Sequence, residues 1–357
     1  MELDTLAQGL GEWLRGTGPE SDVVVSSRIR LARNLARYPF PSRCSDSTRA
    51  EIEALLHEQI ERLKPSHPLH YFRIDQLDPM SRQLLVERQL ISRELADQTG
   101  PRGAGMALNE SFSIMVNEED HLRLQVLRSG FNLDACWQEI NQLDDEIEAQ
   151  VSYAFDEQFG YLTACPTNVG TGIRASVLLH LPALSLLNEE FKRVYQALQK
   201  INLAVRGMYG EGSGAMGNYY QISNQTTLGE SELAIINRLK DVIPNILTYE
   251  RQARKELLKQ QRQELHDRVS RALGNLERAQ TISSEETIDL LSQVRLGVLL
   301  DLIDDIDLQT INRLLLQTQP AHLVKLHREP LEISERNVLR ATFIHRVLAE
   351  VSGTSGR

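Results

Sequence analysis

Cysteine is scarce in this sequence. Only three occur among the 357 residues, Cys44, Cys136 and Cys165, and no two of them form a CxxC pair. An odd number of widely spaced cysteines favours neither a disulfide framework nor a cysteine-ligated zinc site. The sequence therefore predicts a protein of a reducing compartment, the cytoplasm, in which each thiol is either reactive or an inert packed group.

The sequence also lacks a long hydrophobic run. Its longest apolar stretch, around residues 296–303, is interrupted by Asp301 and is too short to cross a bilayer. The opening residues, MELDTLAQGLGEWLRG, are acidic and amphipathic, whereas a secretory signal is basic and then apolar. We therefore expect a soluble chain without a membrane partner, whose first residues to Leu14 form a short helix docked on the body.

Positive charge is in deficit. The chain has 39 Lys and Arg against 49 Asp and Glu, a net charge of -10. Binding to a phosphate backbone needs a basic footprint, so this balance argues against nucleic acid as the main partner and favours cationic partners. The length suits two domains, and the 41% hydrophobic content is enough to bury their cores.

Against this background, the run TACPTNVGTGIRASVLLHL from Thr163 to Leu181 combines features needed for chemistry on a charged substrate. Cys165 supplies a thiol, and the glycines that follow it allow main chain to approach a ligand closely. We expect Arg174 to stand where this loop enters a half-buried strand, since arginine makes planar, two-pronged contacts with phosphate. The alternative interpretation is a turn with a packed thiol and a surface arginine.

Two other stretches carry charge at regular positions. In VVVSSRIRLARN, alternation places Arg28 and Arg30 on one face of a strand, where they could grip adjacent phosphoryl groups or simply face solvent. A strand predicted over Met106–Val116 runs into the acids of residues 117–121, which could lie at the rim of a sheet or begin a solvated helix.

Helical periodicity recurs along the chain and is the only pattern from Ser231 onward. We predict helices over residues 47–63, 78–95, 132–154 and 184–201, one or two long helices over residues 231–278, and further helices starting at Ser283, Asp307 and Ser334. No strand pattern follows about residue 225, so we place a domain boundary near Thr248. The predicted domains are residues 1–248, a phosphotransferase body, and residues 249–357, an all-helical module for regulation or dimerisation.

Three motifs resemble one family. CPTNVGTGIRA is similar to the CPSNLGTGLRA signature of the phosphagen (guanidino) kinases, and SSRIRLAR at Ser26–Arg33 and VNEEDHLR at Val116–Arg123 match two more family motifs in the same order. The long helical tail, together with the lack of the helical domain that precedes SSRIR in the metabolic kinases, resembles the bacterial protein arginine kinases of the McsB type. The resemblance implies an α+β fold, in which an antiparallel β-sheet flanked by helices precedes an all-α C-terminal domain.

The resemblance also assigns roles to residues. It implies that Glu119 is the catalytic carboxylate, that Cys165 is the reactive thiol beside the guanidinium, and that Glu211 grips the far side of an arginine substrate. Arg123 is expected on a helical turn after Glu119. Five arginines, Arg28, Arg30, Arg123, Arg174 and Arg206, fall on positions that hold the phosphates of ATP. The implied nucleotide-binding positions are Ser26, Ser27, Arg28, Ile29, Arg30, Arg123, Arg174, Ala175, Ser176, Val177, Leu178, Arg206, Gly207, Met208, Tyr209, Gly210 and Glu211.

We expect ATP with Mg²⁺ as cofactors, the ion being held mainly by nucleotide oxygens and water, so that no protein metal site is predicted. His121 is a weak candidate ligand. Gln89 stands, within the predicted helix 78–95, where the family usually has a histidine against the nucleotide, which leaves the adenine contacts open.

In the C-terminal module, Arg336, Asn337, Arg340 and Ala341 resemble an RDxxRA motif that forms an allosteric phosphoarginine pocket in these kinases, with Asn337 in place of the acid. The pattern could also be a plain basic helix face. An apolar stripe formed by Leu290, Leu291, Val294, Val298 and Leu299 predicts self-association, as a homodimer or higher oligomer.

The resemblance implies a kinase that transfers the γ-phosphoryl group of ATP to arginine side chains of proteins. Its implied setting is a stress response, with the CtsR repressor as a substrate, McsA as an activator and the ClpC-ClpP protease acting on marked proteins. Two alternatives stay open: a kinase for free arginine or another small guanidino compound, and a non-catalytic adaptor that acts through the helical tail.

Overall fold

A computed structural model describes residues 3–208, 216–327 and 331–352. Within these residues, eight of ten strands form one antiparallel sheet in the order β2-β3-β4-β5-β1-β8-β10-β9, and β6 and β7 form a separate hairpin. The strands are β1 Val24–Arg33, β2 Leu69–Arg73, β3 Gly103–Ala107, β4 Phe112–Val116, β5 Leu122–Ser129, β6 Phe155–Asp156, β7 Gly160–Tyr161, β8 Ile173–His180, β9 Leu203–Gly207 and β10 Tyr219–Asn224.

Helices flank the sheet and make up the last third of the chain, which gives the expected α+β body followed by an all-α region. Those of the body are α1 Leu3–Leu6, α2 Asp46–Arg62, α3 Pro79–Glu87, α4 Arg93–Asp97, α5 Leu133–Glu148, α6 Pro182–Leu186, α7 Asn188–Lys200 and α8 Glu232–Gln260. Those that follow are α9 Arg262–Arg278, α10 Ser284–Leu299, α11 Leu308–Gln317, α12 Pro320–His327 and α13 Ile333–Ser352. None of these described helices is long and apolar enough to span a membrane.

The central strand β1 shows how the sequence orients the sheet. Successive side chains of a strand point to opposite faces, so Ile29 and Leu31 enter the core, where α2, α5 and α8 contribute the facing apolar side chains. Both are almost fully buried, which stabilises the fold by roughly 1.5–3 kcal/mol for each side chain. Arg28 and Arg30 consequently lie on the other face, as predicted.

Three local predictions were wrong. The helix predicted over residues 78–95 is interrupted: α3 ends at Glu87, and Gln89 adopts a left-handed conformation (φ 59°) before α4 begins. The strand predicted over residues 106–116 is a hairpin, because the chain turns between β3 and β4 at Glu110, which also has positive φ (63°). Arg123 lies on β5 and not on a helical turn.

The helical region packs on the arginine-bearing face, near one end of the central strands. Leu127 of β5 and Leu178 of β8 belong to the same buried cluster as the side chains of α10, α11 and α13. Two of the predicted helix starts are confirmed, since Ser283 Oγ accepts the N–H of Glu286 at 3.1 Å and Asp307 Oδ1 accepts that of Thr310 at 2.7 Å.

The apolar stripe of α10 is buried within the chain. Leu291 and Val294 are each 1% exposed and Leu290 is 9% exposed, so the stripe does not offer the self-association surface that the sequence suggested. The opening segment contributes to the same interface, although it forms only the short α1 and a 3₁₀ turn at Glu12–Leu14, with Trp13 and Leu14 buried.

The domain division at residue 248 stays a prediction. Thr248 lies inside α8, which continues to Gln260 and contributes Ala253 and Leu257 to the core beneath the sheet. The break between α8 and α9 falls at Gln261, beyond the predicted boundary.

Candidate active site

Four of the five predicted arginines lie side by side on one face of the three central strands. Arg28 and Arg30 are two residues apart on β1 and therefore share that face. Arg174 on β8 lies directly opposite Arg30, and Arg123 on β5 lies opposite Ala32, two residues further along β1. Residues opposite each other in a sheet project to the same side, so the four guanidinium groups point the same way.

Arg206 comes from the edge strand β9 and reaches the same face. It pairs with Gln221 of β10, and Gln221 pairs with Leu178, which is two residues after the Ser176 that pairs with Arg28. Arg28 Nη2 donates to Gln221 Oε1 at 2.9 Å, so the side chain of Gln221, the residue opposite Arg206, lies on the same face as Arg28. All five predicted arginines therefore project from one face.

The cluster carries positive charge that its surroundings do not fully neutralise. Burial, together with repulsion from Arg174 and Arg123, lowers the pKa of Arg28 to about 10. Burial and the same neighbours, with Arg28, lower the pKa of Arg30 well below its ordinary value. Among the described residues, no hydrogen-bond acceptor contacts the buried Arg30 Nε. A polyanion on this face would relieve both the repulsion and the loss of hydration.

Arg123 joins the arginine cluster to the acidic motif. Its Nη1 donates to Glu118 Oε1 at 2.7 Å, and its Nη2 donates to Glu119 Oε2 at 2.8 Å. Burial opposes the charge of Arg123, but the neighbouring carboxylates more than compensate and raise its pKa. Glu119 is the exposed partner, with 43% of its side chain accessible, whereas Glu118 is fully buried. The predicted catalytic carboxylate thus stands at the rim of the cation cluster and is open to solvent.

Asp120 connects the acidic loop, residues 117–121, to the loop that carries Cys165. Its Oδ1 accepts the main-chain N–H of Ala164 at 2.7 Å and the side-chain N–H of Asn34 at 2.6 Å. Burial raises the pKa of Asp120, although both hydrogen bonds favour the ionised form. Because Ala164 precedes Cys165, the loops that carry Glu119 and Cys165 are fixed to each other.

Cys165 is half-buried, with its Sγ 3.0 Å from Thr167 Oγ1. The loop reaches β8 through Gly172, whose φ is 64° and where a Cβ would lie 2.6 Å from the carbonyl oxygen of Ala32, so only glycine fits without strain. The other two thiols are less suited to reaction. Burial raises the pKa of both Cys136, which is fully buried, and Cys44.

Not every predicted nucleotide-binding position presents a side chain to this face. Alternation sends four of them, Ser27, Ile29, Ala175 and Val177, to the opposite, fully buried face. Ser26, Ser176 and Leu178 lie on the arginine face, although Leu178 and Met208 pack against the helical region. Gly207 ends β9. Tyr209, Gly210 and Glu211 lie outside the described residues.

His121 is not placed as a metal ligand. Its Nδ1 accepts the main-chain N–H of Leu35 at 3.0 Å, so the proton is on Nε2, which donates to the carbonyl oxygen of Pro39 at 2.9 Å. Burial lowers the pKa of His121 to about 4. Across the residues that the structure describes, no group of three or more His, Cys, Asp or Glu side chains is arranged to hold a metal ion.

Sequence reasoning missed several residues of the site, or the contacts that they make. Gln89, left by the sequence without an assigned contact, places its Oε1 3.5 Å from Arg28 Nη1, and its carbonyl oxygen accepts Gln125 Nε2 at 2.5 Å. Gln125 lies opposite Arg30 and Gln221 contacts Arg28, so both could have been found as polar residues at alternate positions of predicted strands. Glu118 and Asp120 were visible as acids, but their buried supporting roles were not.

The residues of the predicted phosphoarginine pocket all belong to α13. Arg340 is buried and donates to the carbonyl oxygens of Thr318 and Ile282, each at 2.8 Å, and to Asn337 Oδ1 at 2.7 Å. Burial and the nearby Arg336, one helical turn earlier, lower the pKa of Arg340 to about 10. Ala341 is buried in the same helical core. The asparagine therefore already accepts from the buried arginine.

Family models match both parts of the chain. Residues 51–253 match the catalytic domain of the ATP:guanido phosphotransferases, and residues 262–356 match the C-terminal domain of the protein-arginine kinase McsB. The gap between the two matches contains Gln261, where α8 gives way to α9.

Curated relatives match over almost their whole length. Protein-arginine kinases of Halothermothrix orenii and Symbiobacterium thermophilum are 46% and 44% identical over 96% and 97% of this chain, and the matches cover 97% and 99% of those proteins. Among solved structures, a duplicated taurocyamine kinase of Schistosoma mansoni is 27% identical with a TM-score of 0.61, over 69% of this chain and about a third (35%) of its own. A lombricine kinase is 26% identical with a TM-score of 0.58, covering 69% and 70%.

The antiparallel sheet, the arginine cluster and these matches define one class of enzyme: the chain belongs to the ATP:guanido phosphotransferase family. Within that family it groups with the protein-arginine kinases, whose C-terminal domain it also carries.

Proposed function

We propose that this chain transfers the γ-phosphoryl group of ATP to the guanidinium group of arginine side chains in proteins, giving ADP, phosphoarginine and a proton. The observation that carries the proposal is the arrangement around Arg123, which is one of the five arginines proposed to hold the phosphates and also holds the exposed Glu119 at their rim. A phosphoryl donor and a cationic acceptor would meet at that rim.

The chemistry follows from charge. The transferring phosphoryl group spreads negative charge over its oxygens, and the fixed guanidinium groups would stabilise that charge without reorganising. An arginine acceptor ordinarily has a pKa above 12, so a carboxylate must accept its proton as the new bond forms. We assign that role to Glu119 and assign Cys165 and Glu211 to flanking the guanidinium. The charge of Glu119 would also attract the acceptor before reaction.

ATP is the proposed phosphoryl donor and Mg²⁺ its proposed counter-ion. The carboxylates of the acidic loop that lie nearest the cluster are engaged by Arg123, Asn34 and Ser92. We therefore expect the ion to be held mainly by nucleotide oxygens and water.

A protein substrate is favoured over a small guanidino compound by the C-terminal domain match and by the names of the relatives at 43–46% identity. The solved structures named as kinases of taurocyamine and lombricine are more distant, at 26–27% identity. A purely non-catalytic adaptor would not need these partly buried, mutually repelling arginines on one face of the sheet.

The finer biological setting is proposed from the family resemblance. It comprises a cytoplasmic stress response, the CtsR repressor as a substrate, McsA as an activator, ClpC-ClpP as the protease that degrades marked proteins, and self-association. Because the stripe on α10 is buried within the chain, a homo-oligomer would have to use another surface.

One assay separates the candidates. Radiolabelled ATP is incubated with the full-length chain and either free arginine or an arginine-rich protein, with Glu119→Gln as the control. Transfer to the protein but little to free arginine supports the proposal. Preference for free arginine would indicate a small-molecule kinase, and no transfer to either with ATP bound would favour the adaptor.

A further inference from the structure

A buried network joins the helical region to the turn that follows α3. The carboxylate of Glu87, the last residue of α3, accepts the main-chain N–H groups of Ala321 at 2.9 Å and His322 at 3.2 Å, at the start of α12. It also lies 2.9 Å from His322 Nδ1. A side chain of the catalytic body thus caps a helix of the C-terminal region.

The neighbouring Arg88 completes the network. It donates from Nε and Nη2 to both carboxylate oxygens of Glu110, at 2.9 and 2.5 Å, and its Nη1 lies 3.1 Å from His322 Nε2. Arginine can only donate, so His322 Nε2 is the accepting nitrogen. The ring proton is therefore on Nδ1, which donates a hydrogen bond to Glu87. Both ring nitrogens of this fully buried imidazole are therefore used.

The next residue, Gln89, contacts the arginine face. Gln89 has a φ of 59°, a conformation that a glutamine adopts only when its surroundings hold it there. Its side chain faces Arg28 at 3.5 Å, and its carbonyl oxygen accepts from Gln125, the residue opposite Arg30. The network that fixes Glu87 and Arg88 therefore ends one residue before a contact with the phosphate-binding arginines.

We propose that His322 is a positioning residue for the nucleotide site: by holding Glu87 and Arg88 together, it keeps the turn at Gln89 in the conformation that aligns Arg28 and Gln125 for ATP. This inference rests on the proposed function only in taking the arginine face as the ATP site. It gives the helical region a direct part in forming that site, beyond any role in binding partners.

The first test measures ATP binding by calorimetry on full-length protein without a phosphoryl acceptor. We expect His322→Ala to weaken Mg-ATP binding roughly 5- to 10-fold. That is the size of effect expected when one charged hydrogen bond, here from Arg28 to the phosphates, is misaligned. Asn312→Ala is the matched control, because Asn312 also bridges the two regions through buried hydrogen bonds, from its Nδ2 to Leu14 O and from Arg295 to its Oδ1. At a comparable loss of melting temperature, that control should change ATP affinity less than about twofold.

A double-mutant cycle tests the route through Gln89. If His322 acts through that turn, Gln89→Ala alone weakens ATP binding by a similar factor, and adding His322→Ala weakens it little further. His322→Asn, which can still donate to Glu87, should recover part of the affinity, and it replaces the alanine variant in the cycle if that variant does not fold. Independent, multiplying effects, or equal losses for His322→Ala and Asn312→Ala, would overturn the proposal. Wild-type protein that binds ATP but phosphorylates nothing would contradict the proposed function and leave this test intact.

Discussion

Arg30 on β1 and Arg174 on β8 lie directly opposite each other in the sheet, so two cations share the position where like charges in a sheet are least favourable. Arg28 and Arg123 add to the repulsion, and burial removes much of the water that would screen it. The protein keeps this arrangement at a cost in stability. Such a cost is typical of a site built for a ligand of opposite charge.

Relieving that repulsion should stabilise the free protein. We expect Arg30→Met to raise the free energy of unfolding without ATP by roughly 0.5–2 kcal/mol, while ATP binding is lost. Denaturant unfolding and calorimetry check both. The control on the same strand is Arg33→Met. Arg33 is buried, and its Nη2 pairs with Asp144 Oδ2 at 2.7 Å, so its loss should destabilise the protein by roughly 3–5 kcal/mol. Equal destabilisation by both changes would contradict the account of the cluster.

Glu119→Gln should remove transfer and spare ATP binding. The substitution deletes the proton acceptor, whereas Arg123 keeps its ion pair with the buried Glu118. We expect the turnover rate to fall roughly 10²- to 10⁴-fold with the ATP affinity nearly unchanged. Steady-state kinetics and calorimetry on one preparation provide both values. A variant with near-normal turnover would take Glu119 out of the mechanism.

Cys165 should react with an alkylating reagent faster than the other two thiols. Cys165 and Cys44 are both half-buried, but only Cys165 lies in the candidate active site. Burial raises the pKa of Cys136 and of Cys44 and so disfavours their thiolates. Peptide mass spectrometry after brief alkylation would give the order, and ATP with an arginine ligand should slow labelling at Cys165 alone. Equal modification of the three thiols in folded protein would count against this prediction.

Acid should destabilise the fold partly through His121. Its folded pKa of about 4 lies below the ordinary 6.5, so between these values the unfolded chain binds more protons and stability falls as the pH falls. The shift corresponds to roughly 3 kcal/mol of unfolding free energy, which is present above about pH 6.5 and is lost as the pH falls to about 4. Unfolding free energies should be measured from pH 7 to pH 4. Their slope against pH should be smaller in His121→Gln, by the amount that corresponds to nearly one bound proton. Parallel curves for the two proteins would show that His121 does not titrate as its burial requires.

The predicted phosphoarginine pocket on α13 should bind its ligand more tightly when an acid is restored at residue 337. Asn337 Oδ1 accepts from the buried Arg340 at 2.7 Å, and a carboxylate there would pair with that arginine or with the guanidinium of the ligand. We expect Asn337→Asp to strengthen binding roughly tenfold, as replacing a neutral acceptor by a charged one implies. Titration of the full-length protein with phosphoarginine measures it. If neither Asn337→Asp nor Arg336→Ala alters binding, α13 is only a basic helix.

Short sequence patterns predicted the features that depend on neighbouring residues, namely strand faces and helix starts. Alternation placed Arg28 and Ile29 on opposite faces of β1, and the side chains of Ser283 and Asp307 cap the helices that they were expected to start. The motif resemblance brought together arginines from four strands, which no periodicity could have done.

Contacts between distant residues decided the rest. The predicted helix 78–95 breaks where Arg88 binds Glu110 and His322, the latter more than two hundred residues away. The stripe on α10 was expected at an oligomer interface because its partners, among them Leu127 and Leu178 of the sheet, belong to the other part of the same chain. Neither contact is visible in a window of sequence.

The activity proposed for this chain is the phosphorylation of arginine side chains of proteins with ATP. The most direct measurement is tandem mass spectrometry of an arginine-rich protein after incubation with ATP and Mg²⁺, with fragmentation that preserves the acid-labile phosphorus-nitrogen bond. We predict one added phosphoryl group on arginine side chains with the wild-type chain and essentially none with Glu119→Gln. Phosphoryl groups found only on serine, threonine or tyrosine, or equal arginine modification by both proteins, would contradict the account.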